Sequence, residues 1–359
     1  MPQLEIKNIE WDVIVGKIRK GKSILILGPG AYLSESGKTL QEEFIEELDV
    51  VNNPRIQRYY EEDNFFLFQA GGGRAFTSEK LEDFYRQQTP NSFLQKIVKI
   101  PFHVTLNVTP DKLLTKAFDE EGYKYQFDHY KKLHEPATIQ KPSKELPLIY
   151  NLLGCIDNEE SLIMTHNDLY DYFKSIFSRK SMPDKLKLAL KNREINCFIF
   201  LGVPFEKWYM QLLLRELDIH RSQEDFIRYA ANQSLTKEVK TFCTEQFTIQ
   251  FVENDITGFV NTLFQHCEAA GELREKGQTT PLQKLKGLIA KGELKNAIEQ
   301  FTEHSKNTEL ENEVVGLSGR FRRFERKKRN GVIDSRDLPV QENQITEDFL
   351  ELLKETETL

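Results

Sequence analysis

Residues 23–27, Ser-Ile-Leu-Ile-Leu, carry four apolar side chains in a row without alternation and run straight into Gly28-Pro29-Gly30-Ala31. A strand with no polar face must be covered on both sides, which suits the interior of a parallel sheet. The glycine turn leads to a helix-like stretch from Thr39 to Leu48, and strand, turn, helix is the opening of a βα unit. Two more segments repeat the theme. Pro101–Val108 follows a helix-like Asn91–Lys99 and ends in Thr109-Pro110-Asp111. Cys197–Leu201 ends in Gly202-Val203-Pro204-Phe205, ahead of a strongly helical Trp208–Leu217. Both put polar or glycine-rich residues at the strand's C-terminal end, where open α/β sheets bind ligands. A shorter strand is expected at Pro147–Leu153, ending at Gly154, and another near the sheet edge at Phe247–Phe251.

Ahead of the first strand, Trp11, Ile14, Val15 and Ile18 recur at helical spacing, which predicts a helix from Leu4 to about Arg19, broken by Gly21. Ala117–Ser143 is charged and aromatic and Asp168–Leu190 is helical in pattern, so an inserted helical layer is expected there, its Tyr and Phe serving local packing. Gly71-Gly72-Gly73-Arg74 reads as a flexible loop. The composition changes near residue 270. Residues 269–280 are polar and broken by Gly271 and Gly277, a linker between a first domain over 1–268 and a second over 281–359. Thr280-Pro281 is an N-cap with a proline at the first helical position, opening a helix through Leu282, Leu285, Leu288 and Ile289. Gly292 separates it from a second, with Leu294, Ala297, Ile298 and Phe301. Leu310, Val314, Leu317, Phe321 and Phe324 form one stripe on a third, closed by Asn330-Gly331, and a fourth turns Phe349 and Leu352 inward. The expected fold is α/β: a parallel sheet with inserted helices, then a small all-α four-helix unit.

The chain has 359 residues, 49 Lys+Arg against 56 Asp+Glu, and a net charge of −7. That balance argues against a dedicated nucleic-acid binder. The basic run from Arg320 to Arg329 complements the end of its helix, and the acidic residues Glu342, Glu347, Asp348, Glu351 and Glu355 follow it. Opposed faces of this kind support internal pairing and self-association. No apolar run approaches the ~20 residues of a membrane helix, and the first residues show no apolar stretch leading to a cleavage site, so a cytoplasmic location is expected. Cys155, Cys197, Cys243 and Cys267 form no CxxC pair, and the histidines lack metal-ligand spacing: His129 and His134 are off-phase for a helix and His103 falls in a strand. No metal is expected. Gly21-Lys22-Ser23 precedes its strand, and Gly37-Lys38-Thr39 would need a glycine where Tyr32 stands, so neither is a P-loop.

Taken in order, four motifs resemble the sirtuin-like family, in its bacterial branch associated with conflict and antiphage systems. They are Ile24–Ala31; Phe102–Leu114, with Thr109-Pro-Asp-Lys-Leu-Leu114; Tyr150-Asn-Leu-Leu-Gly154 with Ser161–Tyr170; and Phe200-Leu-Gly-Val-Pro-Phe205. The C-terminal part, through Leu288–Leu294 and Leu317–Gly331, is similar to the helical, death-like adaptor domains associated with effectors. The resemblance implies a Rossmann-like domain that takes NAD or ADP-ribose against Gly28, Pro29, Gly30, Ala31, Thr109, Gly154, Gly202 and Val203, with phosphates at Gly28 and Gly30. It also implies cleavage between nicotinamide and ribose, with an Asn to orient the ribose or a water and a His to take the proton.

Here the pattern departs. With Asp111 in register, the family's Asn falls on Thr109; shifting the register offers Asn107 instead. The family's His falls on Leu153, which has no proton to exchange. The zinc-binding cysteines are absent, which argues against protein deacetylation. The expected function is therefore an NAD- or ADP-ribose-binding effector or sensor module of an antiphage system with a degenerate Asn/His pair. An adaptor domain of the same kind is its expected protein partner through residues 281–359, with a homo-oligomer as a further arrangement. The alternatives are an NAD hydrolase using Asn107, Asp111 and His166, with His103 as another base, and a non-catalytic scaffold.

Overall fold

The computed structural model describes residues 5–6, 9–34, 36–132, 138–177, 182–191, 195–217, 219, 226–232, 235–252, 255–275, 285, 288–289, 294–305, 311–329 and 337–358. The chain divides into two compact units, Met1–Glu275 and Lys276–Leu359.

In chain order the first unit runs β1 (Glu5–Ile6), α1 (Trp11–Arg19), β2 (Ser23–Leu27), α2 (Leu40–Glu47), β3 (Ile56–Tyr60), β4 (Phe65–Phe68), α3 (Gly73–Gln87) and α4 (Ser92–Ile97). It continues with β5 (Val104–Asn107), α5 (Leu113–Glu121), β6 (Gln126–His129), β7 (Leu148–Asn151), α6 (His166–Phe177) and α7 (Asp184–Lys191). β8 (Cys197–Leu201), α8 (Trp208–Glu216), β9 (Ile227–Ala231), α9 (Lys237–Phe247), β10 (Gln250–Val252) and α10 (Ile256–Ala269) complete it. Among the described residues eight strands form one sheet in the order β1-β10-β9-β8-β2-β5-β7-β6, every pairing parallel. This is the Rossmann-like parallel sheet with inserted helices.

The continuous apolar runs are explained by what covers them. Ile24, Ile26, Val104, Leu106, Phe198 and Phe200 point to one face and pack with Leu169 and Phe173 of α6 and Leu213 and Leu214 of α8. Leu25, Leu27, Ile199 and Leu201 point to the other, against Ile14 and Ile18 of α1, Leu94 and Ile97 of α4, and Phe259 and Leu263 of α10. Each strand residue thus serves a core, and a fully buried Leu or Ile is worth about 1.5–3 kcal/mol. A separate small lobe carries the antiparallel hairpin β3–β4. Its core joins Phe44 of α2, Ile56, Phe66, Phe84 and Tyr85 of α3, and Cys155, Ile156, Leu162 and Met164 from the segment after β7.

Several expectations need correction. The N-terminal helix starts at Trp11, because Glu5–Ile6 pair with β10 as a strand. That pairing also makes β10 an inner strand. Ala117–Ser143 is not a helical layer: α5 ends at Gly122 in the left-handed conformation (φ 74°), and β6 follows as the opposite sheet edge. Gly71 and Gly72 have φ of +94° and +98°, and Gly73 already opens α3, so this loop is a helix entry. His103 lies just before β5, not in it.

The start of the stretch read as a linker is anchored to the first unit. Arg274 is buried, its backbone N–H donates to Lys99 O (2.7 Å), and its guanidinium donates to the carbonyls of Val98, Phe102 and Lys144. Burial lowers the Arg274 pKa to about 10, yet with carbonyls around it the group is well partnered.

The second unit contains α11 (Leu294–His304), α12 (Glu311–Arg329) and α13 (Asp337–Thr358). Val314, Leu317, Phe321 and Phe324 are buried as one stripe against Ala297, Ile298, Phe301, Ile345, Phe349 and Leu353, with Leu285 in the same core. Arg320 pairs with Asp348 between α12 and α13. The Thr280-Pro281 cap, Leu282, Gly292, Leu310 and the Asn330-Gly331 stop lie outside the described residues, as do His134 and residues 276–280 of the linker.

Candidate functional site

Four parallel strands, β8, β2, β5 and β7, end side by side, and the segments leaving them carry the sequence-predicted ligand residues. The two glycine turns lie against each other. Gly28 N–H donates to Leu201 O (2.9 Å), Gly30 N–H to Gly202 O (3.0 Å), and Ala31 N–H to Gly28 O (3.0 Å). A Cβ on Gly28 would collide with the backbone of Gly202 and Val203, and one on Gly30 would sit 3.0 Å from Gly202 Cα. Gly202 has φ +64° and faces the backbone of Gly30 and Ala31 equally closely. These glycines are required for backbone-to-backbone approach, and the amides of Gly28, Gly30 and Ala31 are spent inside the protein. Gly154, at φ +93°, similarly abuts Ser161 O. It starts the tight loop in which Cys155 N–H donates to Ser161 Oγ (2.9 Å).

The last row of the sheet reads Leu201, Leu27, Asn107, Asn151, His129 across β8, β2, β5, β7 and β6. Register partners share a face, so the row turns from apolar to polar at β5. Asn107 is buried; its Oδ1 accepts from Tyr32 Oη (3.1 Å) and Thr109 Oγ1 (2.9 Å), and its Nδ2 donates to Asn151 Oδ1 (3.3 Å). Asn151 Nδ2 donates to Asp111 O (2.8 Å), and Asp111 Oδ1 accepts from Leu113 N–H (2.8 Å). Asp111 is buried, and burial holds its pKa above the usual carboxylate value against the hydrogen bonds that lower it. The hydroxyls of Tyr32 and Tyr85 are pushed upward by burial and by Asp111. The structure thus brings Asn107, Thr109 and Asp111 into one buried network at the strand ends.

The histidines stand elsewhere. His166 opens α6, with Nε2 3.0 Å from Asp63 Oδ2 on the hairpin, outside that network. His103 lies at the opposite end of β5 from Asn107, about 13 Å along the strand. Its ring faces Gly21, and burial followed by Arg274 lowers its pKa. That position removes it as a base at the strand ends. His129 ends the polar row, 3.5 Å from Asn158, and burial lowers its pKa too. Leu153, on the family's His position, packs partly buried against the core.

Some site residues were not anticipated. Asn151 and Tyr32 complete the Asn107 network, and Asn232, just after β9, donates to Val203 O (2.6 Å) while its Oδ1 is buried with no partner among the described residues. The available signal was an asparagine closing or following three strands, at 107, 151 and 232. Thr165 and Asp168 form a reciprocal cap at α6: Thr165 N–H donates to Asp168 Oδ2 (3.0 Å) and Asp168 N–H to Thr165 Oγ1 (3.1 Å). Arg74 then binds Asp168 at 2.6 Å and the carbonyls of Leu162 and Glu159, tying α3 to α6.

Among the described residues no cluster of three His, Cys, Asp or Glu is placed to hold a metal, and no helix is long and apolar enough to cross a membrane. The four cysteines are free and buried, with burial raising Cys155 and Cys197 to about 11.

Residues 104–250 match the SIR2-like domain family and residues 280–357 match effector-associated domain 11. The first match runs from β5 to the first residue of β10, including Asn107, Asp111, Asn151 and Gly202. No curated protein matches the chain.

Proposed function

We propose that this chain, a SIR2-like domain joined to an effector-associated domain, is an effector or sensor subunit of a conflict system. In this reading it binds NAD or ADP-ribose at the strand-end edge of the first unit and recruits a protein partner through the second. The observation that carries the binding reading is the polar strand-end row set beside the paired glycine turns. Open parallel sheets take nucleotides at that edge. The residues fit a ribosyl ligand unevenly. Asn232 Oδ1, a buried acceptor without a partner among the described residues, suits a ribose hydroxyl. The amides of Gly28, Gly30 and Ala31 are already engaged, so the glycines shape the floor and the diphosphate takes its hydrogen bonds from other groups.

Binding without the usual cleavage is the favoured state. Asn107 Oδ1 already accepts two hydrogen bonds, Asp111 is held toward its neutral form, and Leu153 replaces the family's proton acceptor. A second reading, hydrolysis of NAD to nicotinamide and ADP-ribose, draws on one observation: the polar row ends in His129, whose neutral imidazole is able to accept a proton. Incubating the full chain with NAD and identifying retained and released molecules by mass spectrometry separates the two. Intact NAD retained on the protein without free nicotinamide supports the sensor. Released nicotinamide replaces it with the hydrolase, and a result with neither retained NAD nor released nicotinamide overturns both readings.

A further inference from the structure

The tip of the β3–β4 hairpin, residues 61–64, is fastened by contacts that the site above does not use. Asp63 accepts on both oxygens: from Trp208 Nε1 at 3.1 Å on Oδ1, and from His166 Nε2 at 3.0 Å on Oδ2. With a carboxylate as its partner, that imidazole nitrogen carries the proton. Lys207 Nζ adds bonds to the carbonyls of Glu61 (3.4 Å) and Glu62. Behind the tip, Tyr60 and Phe65 set their rings 5.1 and 5.0 Å from His166, and Phe65 lies 5.4 Å from Tyr209. One carboxylate therefore joins the first residue of α6 to the first residue of α8.

Those two helices follow β7 and β8, and their entry segments carry Gly154 and the Gly202–Phe205 turn. In the sheet order β2 and β5 stand between β8 and β7. The hairpin tip thus links the two connections that flank the strand ends of β2 and β5, where Gly28 and Asn107 lie. The link is also easily undone. The Asp63 and His166 side chains are 25% and 31% exposed and Trp208 is 42% exposed, so water can replace each hydrogen bond as it breaks.

We propose that Asp63, with His166 and Trp208, is a clasp that gates the strand-end crevice. Closed, it pins the hairpin to α6 and α8; a ligand the size of ADP-ribose enters and leaves when it opens. The gate rests on the binding reading above, whereas the clasp itself does not.

The test uses the full chain, with ADP-ribose as the ligand. Asp63→Ala should speed backbone hydrogen exchange over residues 56–68, and raise the association and dissociation rates of ADP-ribose together, by about threefold or more, with a smaller change in Kd. Trp208→Phe, which removes one surface donor and keeps an aromatic ring, should give the same pattern more weakly and serves if Asp63→Ala fails to fold. Unchanged exchange over 56–68 overturns the clasp. Faster exchange with unchanged ligand rates overturns the gate. If wild type binds no ADP-ribose, the pocket reading and the gate fall together, and the exchange result still decides the clasp.

Discussion

Asn107 and Asn151 meet amide to amide across two adjacent parallel strands, 3.3 Å apart, each buried and each passing the hydrogen-bond chain onward. Asn107 takes it from Tyr32 and Thr109; Asn151 hands it to the Asp111 carbonyl. Replacing Asn107 by Ala strands these partners without water, and each orphaned buried group costs about 1–3 kcal/mol. A loss of about 3–5 kcal/mol in urea unfolding is expected. Lost activity in that variant would reflect the fold before it reflected catalysis.

The glycine turns make a sharper test when paired with a control. Gly37 has φ +79° in open space, so Gly37→Ala should cost only about 1 kcal/mol of backbone strain. Gly202→Ala adds a collision with the Ala31 and Gly30 backbone to a φ of +64°. Its soluble yield or Tm should fall far below that of the control.

Asp111 carries a pH signature. Its folded pKa is raised, so the stability tied to its protonation is complete below the usual 3.8 and is lost as pH rises through the raised value. Asp111→Asn keeps an oxygen for the Leu113 N–H and never ionises. Its Tm should exceed that of wild type at pH 7 and converge with it as the pH approaches 3.8. An advantage that does not shrink in acid would contradict the buried carboxylate.

At α6, Asp168→Ala removes both a helix cap, worth about 0.5–2 kcal/mol, and a charge-assisted bond to Arg74, worth about 1.5–3 kcal/mol. A combined loss of about 2–4 kcal/mol by calorimetry is expected. Thr165→Ser, which keeps the capping hydroxyl, should remain close to wild type.

Arg274→Met leaves the carbonyls of Val98, Phe102 and Lys144 without their donor but relieves a costly buried charge. The net loss should be about 2–4 kcal/mol. Calorimetry of the full chain should show it in the transition of the unit that holds residues 98–144.

The strands easiest to find in the sequence were the ones with two covered faces. Ile24–Leu27 and Cys197–Leu201 are apolar throughout because α-helices pack on both sides of them. β6 was hidden because an edge strand, Gln-Phe-Asp-His, need not be apolar. β9 was hidden by Arg228, a charge buried between Phe198 and Phe226 at a position where sequence pattern alone argues for a surface. The Thr165–Asp168 motif was visible, but its work as a cap tied to Arg74 was not, because its partner lies 94 residues away.

Local chemistry was enough to determine the βα opening at Gly28, the strand-to-turn junctions near Val108–Thr109 and at Leu201–Gly202, and the apolar stripe from Val314 to Phe324, since each follows from the spacing of neighbouring residues. Only the tertiary structure decided that the turn amides are spent on one another, that Asn107 is bound to Asn151, and that Asp63 clasps His166 and Trp208. The bonds of Gly28 and Gly30 to the Leu201–Gly202 turn, of Asn107 to Asn151 and of Asp63 to His166 and Trp208 join residues 44 to 173 positions apart. No local pattern encodes them, because such partners meet only when the sheet brings their strand ends together.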